Sequence, residues 1–330
     1  MSNIICEKLG IAYPIIQGPM AWASNARLAA AVSNAGGLGI MGIGFCPKDI
    51  FESEIKLAKK LTSKPFGFNI VTCIPGAQEL LEIALREEAP IVEVETFPDH
   101  MAELKVYSDA LKANGTITIG KASTVDEAIA YEKAGVDMVC VKGSDGGGHI
   151  FGFTGTFSLI PQVVDAVNIP VINSSGVADG RGIAASFMLG ASGVEIGSRF
   201  LISEECPIHE NYKKAILQAQ EGDTVLTGVT VGDSVRCLKN ELTGKLLKIE
   251  RECDHDEACK RIQEIGQGSL RNASVEGDMV NGSIVVGQNV GLLKRIKMAS
   301  EIVAELIEEY TELLSNADSF LDFPATAVRS

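Results

Sequence analysis

Met138-Val139-Cys140-Val141-Lys142-Gly143-Ser144-Asp145-Gly146-Gly147-Gly148-His149-Ile150 is the stretch on which the fold turns. Its four opening residues are apolar, with no alternation of polar ones. That pattern suits a strand buried on both faces of a parallel sheet. The run then breaks into a glycine loop that delivers one histidine at its far end. Short apolar runs of the same kind recur on either side. Upstream lie 15–18, 38–44, 66–71, 91–95 and 116–119; downstream lie 171–173 and 193–196. Helical patterns follow the runs: near Asn25, over 47–61, after Pro75, from about Asp99, and behind a cap at Ser123 or Thr124. Eight strand–helix units predict an α/β TIM (β/α)8 barrel. A doubly wound open sheet is the competing layout, but eight units fit the closed barrel without remainder.

Beyond residue 200 the pattern changes. Residues 207–220 read as helical, 221–236 as strand or loop, and 238–266 as charged and helical. Residues 278–291 are glycine-rich and 294–315 form an amphipathic helix. The 330 residues therefore divide into a barrel over 1–205, an appended cap on the substrate side over 206–292, and a segment over 293–330 whose helix packs back on the barrel. Glycine, 34 residues in all, clusters at strand C-termini: Gly42, Gly44, 143–148, Gly176 and Gly197. Barrel enzymes build their active sites on that face, and glycine lets backbone N–H groups approach a ligand.

Charge narrows the function. Lys and Arg number 29 against 43 Asp and Glu, a net −14, which disfavours phosphate backbones and anionic membrane surfaces. No apolar run reaches the ~20 residues of a membrane helix. The opening residues carry no basic segment followed by an apolar one. A cytoplasmic protein is expected, with its eight cysteines reduced and no CxxC pair among them.

Several residues suggest chemistry. A histidine can donate or accept a proton near neutrality, so His149 could move a proton beside a bound ring; otherwise it is a surface residue on a turn. Residues 173–180 and 196–200 follow strands seven and eight, where this fold commonly binds phosphate through N–H groups. Asn69 ends strand three and could hydrogen-bond a heterocycle, or simply make a turn. Lys121, just past strand five, could stabilise negative charge on a reduced ring or a carbonyl, or be a solvated lysine. Glu93 and Glu95 share one strand face and need partners there. Cys253, His255 and Cys259 lack a fourth ligand and finger spacing, so no metal is expected. No Walker A or dinucleotide fingerprint is present.

Taken together, certain motifs resemble one family. They are Gln17-Gly18-Pro19-Met20-Ala21-Trp22, Gly146-Gly147-Gly148-His149-Ile150, Gly176-Val177-Ala178-Asp179-Gly180-Arg181-Gly182 and Gly197-Ser198-Arg199-Phe200. The set is similar to the flavin-dependent enoyl-acyl-carrier-protein reductase II and nitronate monooxygenase superfamily. The tail motifs Gly266-Gln267-Gly268-Ser269-Leu270-Arg271, Gly277-Asp278, Asn281-Gly282-Ser283 and Gly287-Gln288 resemble the reductase branch.

The resemblance implies FMN, NADH or NADPH as reductant, a monovalent cation, and a homodimer. It implies reduction of a 2-enoyl thioester carried by an acyl-carrier protein or a small molecule. The alternatives are nitronate oxidation with O₂ and a divergent ene-reductase for a smaller substrate. His149 would be catalytic. Met20, Ala21, Asn69, Lys121, Gly147, Gly148, Ser175, Gly176, Gly197 and Ser198 would hold FMN.

Four places depart from the branch pattern: Phe45, the run Glu93-Val94-Glu95-Thr96-Phe97-Pro98, Lys121, and Asn173-Ser174-Ser175-Gly176. Phe45, Glu93 and Glu95 fall on the substrate side. An acidic carrier would need a basic patch, for which Lys213, Lys214, Lys239 and Lys245 are the candidates.

Overall fold

The computed structural model describes residues 3–316. In chain order the strands of its first two-thirds are β1 (Ile15–Gln17), β2 (Leu38–Met41), β3 (Phe66–Val71), β4 (Ile91–Glu95), β5 (Ile117–Ala122), β6 (Met138–Val141), β7 (Gly148–His149), β8 (Val171–Asn173) and β9 (Gly193–Ile196). All but β7 form one closed barrel, in the order β1-β2-β3-β4-β5-β6-β8-β9. Parallel pairing of β9 with β1, Glu195 opposite Ile16, closes the circle. This is the TIM barrel. Its strands are apolar on both faces because each packs inward on the barrel and outward on a helix.

The barrel interior below the site is a cluster of Ile16, Leu38, Ile40, Ile91, Ile119, Met138, Cys140 and Ile172. A helix over Ile4–Leu9, not anticipated from the sequence, plugs it from beneath with Ile5 and Leu9. Its N-cap Asn3 accepts hydrogen bonds from the N–H groups of Ile5 and Cys6, as a capping asparagine should.

Strand β5 runs further than the sequence suggests. Lys121 lies inside it, paired with Cys140 of β6, so its side chain belongs to the barrel mouth. Thr124, rather than Ser123, caps the next helix through the Glu127 N–H.

The cap contains the hairpin of β10 (Thr224–Thr227) and β11 (Val235–Leu238). The short β7 joins it, with His149 opposite Val235. The glycine loop after β6 is thus stitched to the cap. The charged stretch is two helices, Glu241–Glu252 and His255–Gly266, separated where Asp254 caps the second. The last helix covers Ala299–Ser315, starting later than expected because Lys297 is still extended in a bridge to Ser203.

Cap and barrel share one apolar cluster. Tyr212, Leu238, Ile284 and Val286 pack with Val194, Ile196 and Phe200, and with Ile302, Val303 and Leu306 of the last helix. Of the expected C-terminal segment, 317–330 lie outside the described residues. No described helix is long and apolar enough to cross a membrane. All eight cysteines are free thiols.

Candidate active site

The C-terminal ends of the strands open into a cleft of about 740 Å³, continuous with solvent. Its floor is charged. Lys121 from β5 points inward, where its Nζ pairs with Glu195 of β9 and lies 3.4 Å from Glu93 Oε1 of β4. It also donates to Ser174 Oγ at 3.0 Å and touches Cys140 Sγ at 3.6 Å. Ser174 Oγ in turn donates to Glu195 Oε1 at 2.5 Å.

Glu93 and Glu195 are both buried, and two charged carboxylates against one ammonium would be costly there. Burial, then the charge of Glu195, raises the Glu93 carboxyl well above the usual carboxylate range. Burial is the largest single influence on Glu195 and opposes its ionisation, but the Lys121 charge together with hydrogen bonds from Glu93, Lys121 and Ser174 outweighs it and holds that carboxyl low. Burial works against the Lys121 charge too; Cys140, Glu195 and Glu93 more than offset it. The neutral arrangement is therefore protonated Glu93, ionised Glu195 and charged Lys121. Glu93, Cys140 and Glu195 come close enough together to hold a metal ion. The Lys121 ammonium already contacts all three, so this cluster has its cation.

The opposite wall is backbone. Among the described residues, the N–H groups of Gly176, Gly197 and Ser198 have no acceptor within the protein. Ser198 Oγ accepts from Gly287 N at 3.0 Å and so ties the 285–287 segment to the barrel rim. Gly147 lies directly beneath that segment: a Cβ there would stand 2.6 Å from the Val286 carbonyl carbon. Only glycine lets the two backbones close over the cleft. Asp145 anchors the loop, its Oδ1 accepting from Thr156 N at 3.0 Å and Oγ1 at 2.6 Å.

Of the expected site residues, Met20, Glu93, Glu95, Lys121, Gly147, Ser175, Gly176, Gly197 and Ser198 line this cleft. Ala21, Phe45, Asn69, Gly148 and His149 do not. Asn69 is buried with its Oδ1 committed to Gly44 N at 2.8 Å, so it fixes the strand-two loop instead of presenting its carbonyl to a ligand. Phe45 is half exposed on the same rim. His149 stands just outside, its Nε2 3.2 Å from Asp233 Oδ1. Its ring stacks on Phe151 at 6.0 Å and tilts against Phe97 at 6.1 Å. Bonding to His149 holds the Asp233 carboxyl below its ordinary range.

Sequence reasoning did not single out Glu195, Lys142 or Asn289, all of which line the cleft. Lys142 directly follows the strand-six run and Glu195 lies inside the strand-eight run over 193–196, where a charge beside or within an apolar run was the available signal.

The donor set can be tested against FMN. One side of the cleft carries unpaired N–H donors. The cleft also carries acceptors without a hydrogen-bond partner, Glu195 Oε2 at the floor and Asn289 Oδ1 beside Val177 and Gly287. FMN bears phosphate oxygens for the first set and ring and hydroxyl donors for the second. The residues present fit the group.

A family model described as nitronate monooxygenase matches residues 2–96 and 81–309. A probable nitronate monooxygenase of Staphylococcus saprophyticus is 36% identical, covering 96% of this chain and 99% of the relative. One from Staphylococcus haemolyticus is 38% identical over 76% of this chain and 81% of its own length. Among solved structures, FabK from Thermotoga maritima superposes with a TM-score of 0.90 at 39% identity, covering 97% and 99% of the two chains. A nitroalkane oxidase from Streptomyces ansochromogenes does so with 0.81 at 26% identity, covering 96% and 100%.

Proposed function

Because the chain belongs to the nitronate monooxygenase family, whose members are flavin-dependent oxidoreductases, we propose that it binds FMN, takes electrons from NADH or NADPH, and reduces the activated C=C bond of a 2-enoyl compound. The cleft with unpaired N–H donors on one wall and a buried Glu–Lys–Glu floor on the other is the observation that carries this reading. FMN, when bound, supplies hydride transfer between nicotinamide and acceptor. Everything else falls to the chain's own residues. Gly176, Gly197 and Ser198 would hold the phosphate by their N–H groups. Met20 would line the ring. Lys121, paired with ionised Glu195, would stabilise negative charge next to the floor. His149, oriented by Asp233, would hold or give a proton at the acceptor's carbonyl side.

A yellow, FMN-containing protein that is bleached by NADH without oxygen and recoloured by a 2-enoyl compound is the expected result. Colourless protein that cannot be reconstituted with FMN sinks the reading. The second reading, oxidation of nitronates with O₂, is supported by the names of the staphylococcal relatives. Bleaching by a nitronate in the absence of NADH would select it. A homodimer belongs to the same proposal and is checked by light scattering.

A further inference from the structure

Lys142 follows β6 directly and lines the cleft. Unlike Lys121, it has no internal partner: among the described residues no hydrogen bond reaches its Nζ, and no carboxylate comes within ion-pair distance. Space has been cleared for it. A Cβ on Gly146 would stand 2.9 Å from Lys142 Cε, and one on Gly148 would stand 3.6 Å from its Nζ. The ammonium is thus held against the residue that precedes His149, beside the Val285 side chain at the cleft's edge. A partly enclosed ammonium without an acceptor is an unfinished interaction. What completes it comes from the ligand.

We propose that Lys142 binds a planar two-oxygen anion on the acceptor substrate, so that the cleft selects a small carboxylate-bearing 2-enoic acid over a neutral thioester. This rests on the reading of the cleft as the flavin site and narrows its substrate class. Three observations support it. The ammonium lies against Gly148, next to His149, while its Cε lies by Gly146 on the side of Ser175; the unpaired N–H donors belong to Gly176, Gly197 and Ser198. Lys121 is already paired with Glu195 and donates to Ser174, whereas Lys142 has no partner of its own. Three of the four lysines of the basic patch an acidic carrier would need are engaged within the chain: Lys213 donates to Ser203 O, Lys214 pairs with Glu210, and Lys245 donates to Asn281, which leaves Lys239.

Burial and the neighbouring Lys121 push the Lys142 ammonium down to about 8. Lys121 of β5 opposes its charge, while Glu93 and Glu95 of β4 and Glu195 of β9 favour it. Asp145 of its own loop also lines the cleft. Anion binding by Lys142 should therefore weaken as pH rises past that value.

The test is calorimetric titration of oxidised, FMN-loaded protein with crotonate and with crotonamide, which differ in charge but hardly in shape. Wild type should bind crotonate tighter by about tenfold or more, the size of one charge-assisted hydrogen bond. K142M should erase the preference and K142R should keep part of it. Both variants should retain FMN. In a parallel arm, the KM for propane-2-nitronate in air should rise in K142M if the anion is a nitronate and stay unchanged if it is only a carboxylate. Equal binding of crotonate and crotonamide by FMN-loaded wild type, or an undiminished preference in K142M, overturns the inference but leaves the flavin reading intact. Loss of FMN in K142M and K142R alike assigns the ammonium to the cofactor's phosphate and also overturns it. Wild type without FMN would instead defeat the reading beneath it.

Discussion

At the scale of single residues, the floor of the cleft makes opposed demands on pH. Glu93 has a raised carboxyl, so it stays neutral in the fold after the unfolded chain has ionised. Its contribution is complete below the ordinary carboxylate value and is lost as pH rises above it. Glu195 has a lowered carboxyl; its contribution is present above the ordinary value and is lost as pH falls below it. Replacing Glu93 by Gln removes the first effect at nearly constant shape. E93Q should match wild type in thermal melting at pH 5 and exceed it at pH 8 by at least about 2 °C. A lower Tm at pH 8 would mean that Glu93 is ionised in the folded protein.

His149 admits a second test at this scale. H149Q should retain FMN and lower turnover by about 10²-fold or more, the usual share of a positioned proton donor. D233N should leave FMN binding alone and lower turnover by less than H149Q does, since Asp233 orients the ring from 3.2 Å and the imidazole itself remains. The need for partners around Glu93 was legible in the sequence, because carboxylates on a buried strand cannot stand alone. The identity of those partners was not. Glu93, Lys121 and Glu195 come from three strands, and only closure of the barrel places them together.

At the scale of elements, the apolar runs foretold the barrel strands because a parallel strand buried on both faces has no polar phase to confuse. The exceptions have physical causes. β5 extends through a glycine and a lysine because Lys121 finds its counter-charges inside the barrel. β7 is two residues long and has no sequence pattern; it exists because β11 offers a free edge. The closure over the cleft is equally non-local, for it depends on Gly147 meeting Val286 across 139 residues of chain, roughly the span of a whole domain. G147V should therefore fold, since the barrel core is untouched, but push the 285–287 segment outward. FMN fluorescence released on dilution should report an affinity weaker by about tenfold or more, the loss expected of about one hydrogen bond to a charged group. Unchanged retention would show that this segment does not help enclose the cofactor.

For the whole molecule, the division into barrel, cap and returning helix describes the chain's order better than its energetics. The last helix lays Ile302, Val303 and Leu306 into the cluster that contains Val194, Ile196 and Phe200 of the barrel wall. It also accepts the Gly180 N–H on Glu309 at 2.7 Å and pairs Glu305 with Arg199 at 3.1 Å. Three buried aliphatic side chains at about 1.5–3 kcal/mol each amount to roughly 5–9 kcal/mol. That is comparable with the whole stability of a typical domain, about 5–15 kcal/mol. The helix is thus part of the barrel's outer layer even though the cap intervenes in sequence; its amphipathic pattern marks a face to be buried but does not say which cluster receives it. A chain ending at Met298 should express as aggregate or as a species with exposed apolar surface, detected by dye binding and loss of a cooperative melt. A soluble, cooperatively melting product would instead show that the barrel over 1–205 and its cap stand without the helix. The same truncation removes the Glu305 partner of Arg199, which lies beside Ser198. FMN retention in the single variant E305Q, with the helix left in place, then separates support of the phosphate loop from support of the fold: retention should be weakened while the melting temperature falls by only about 2–4 °C.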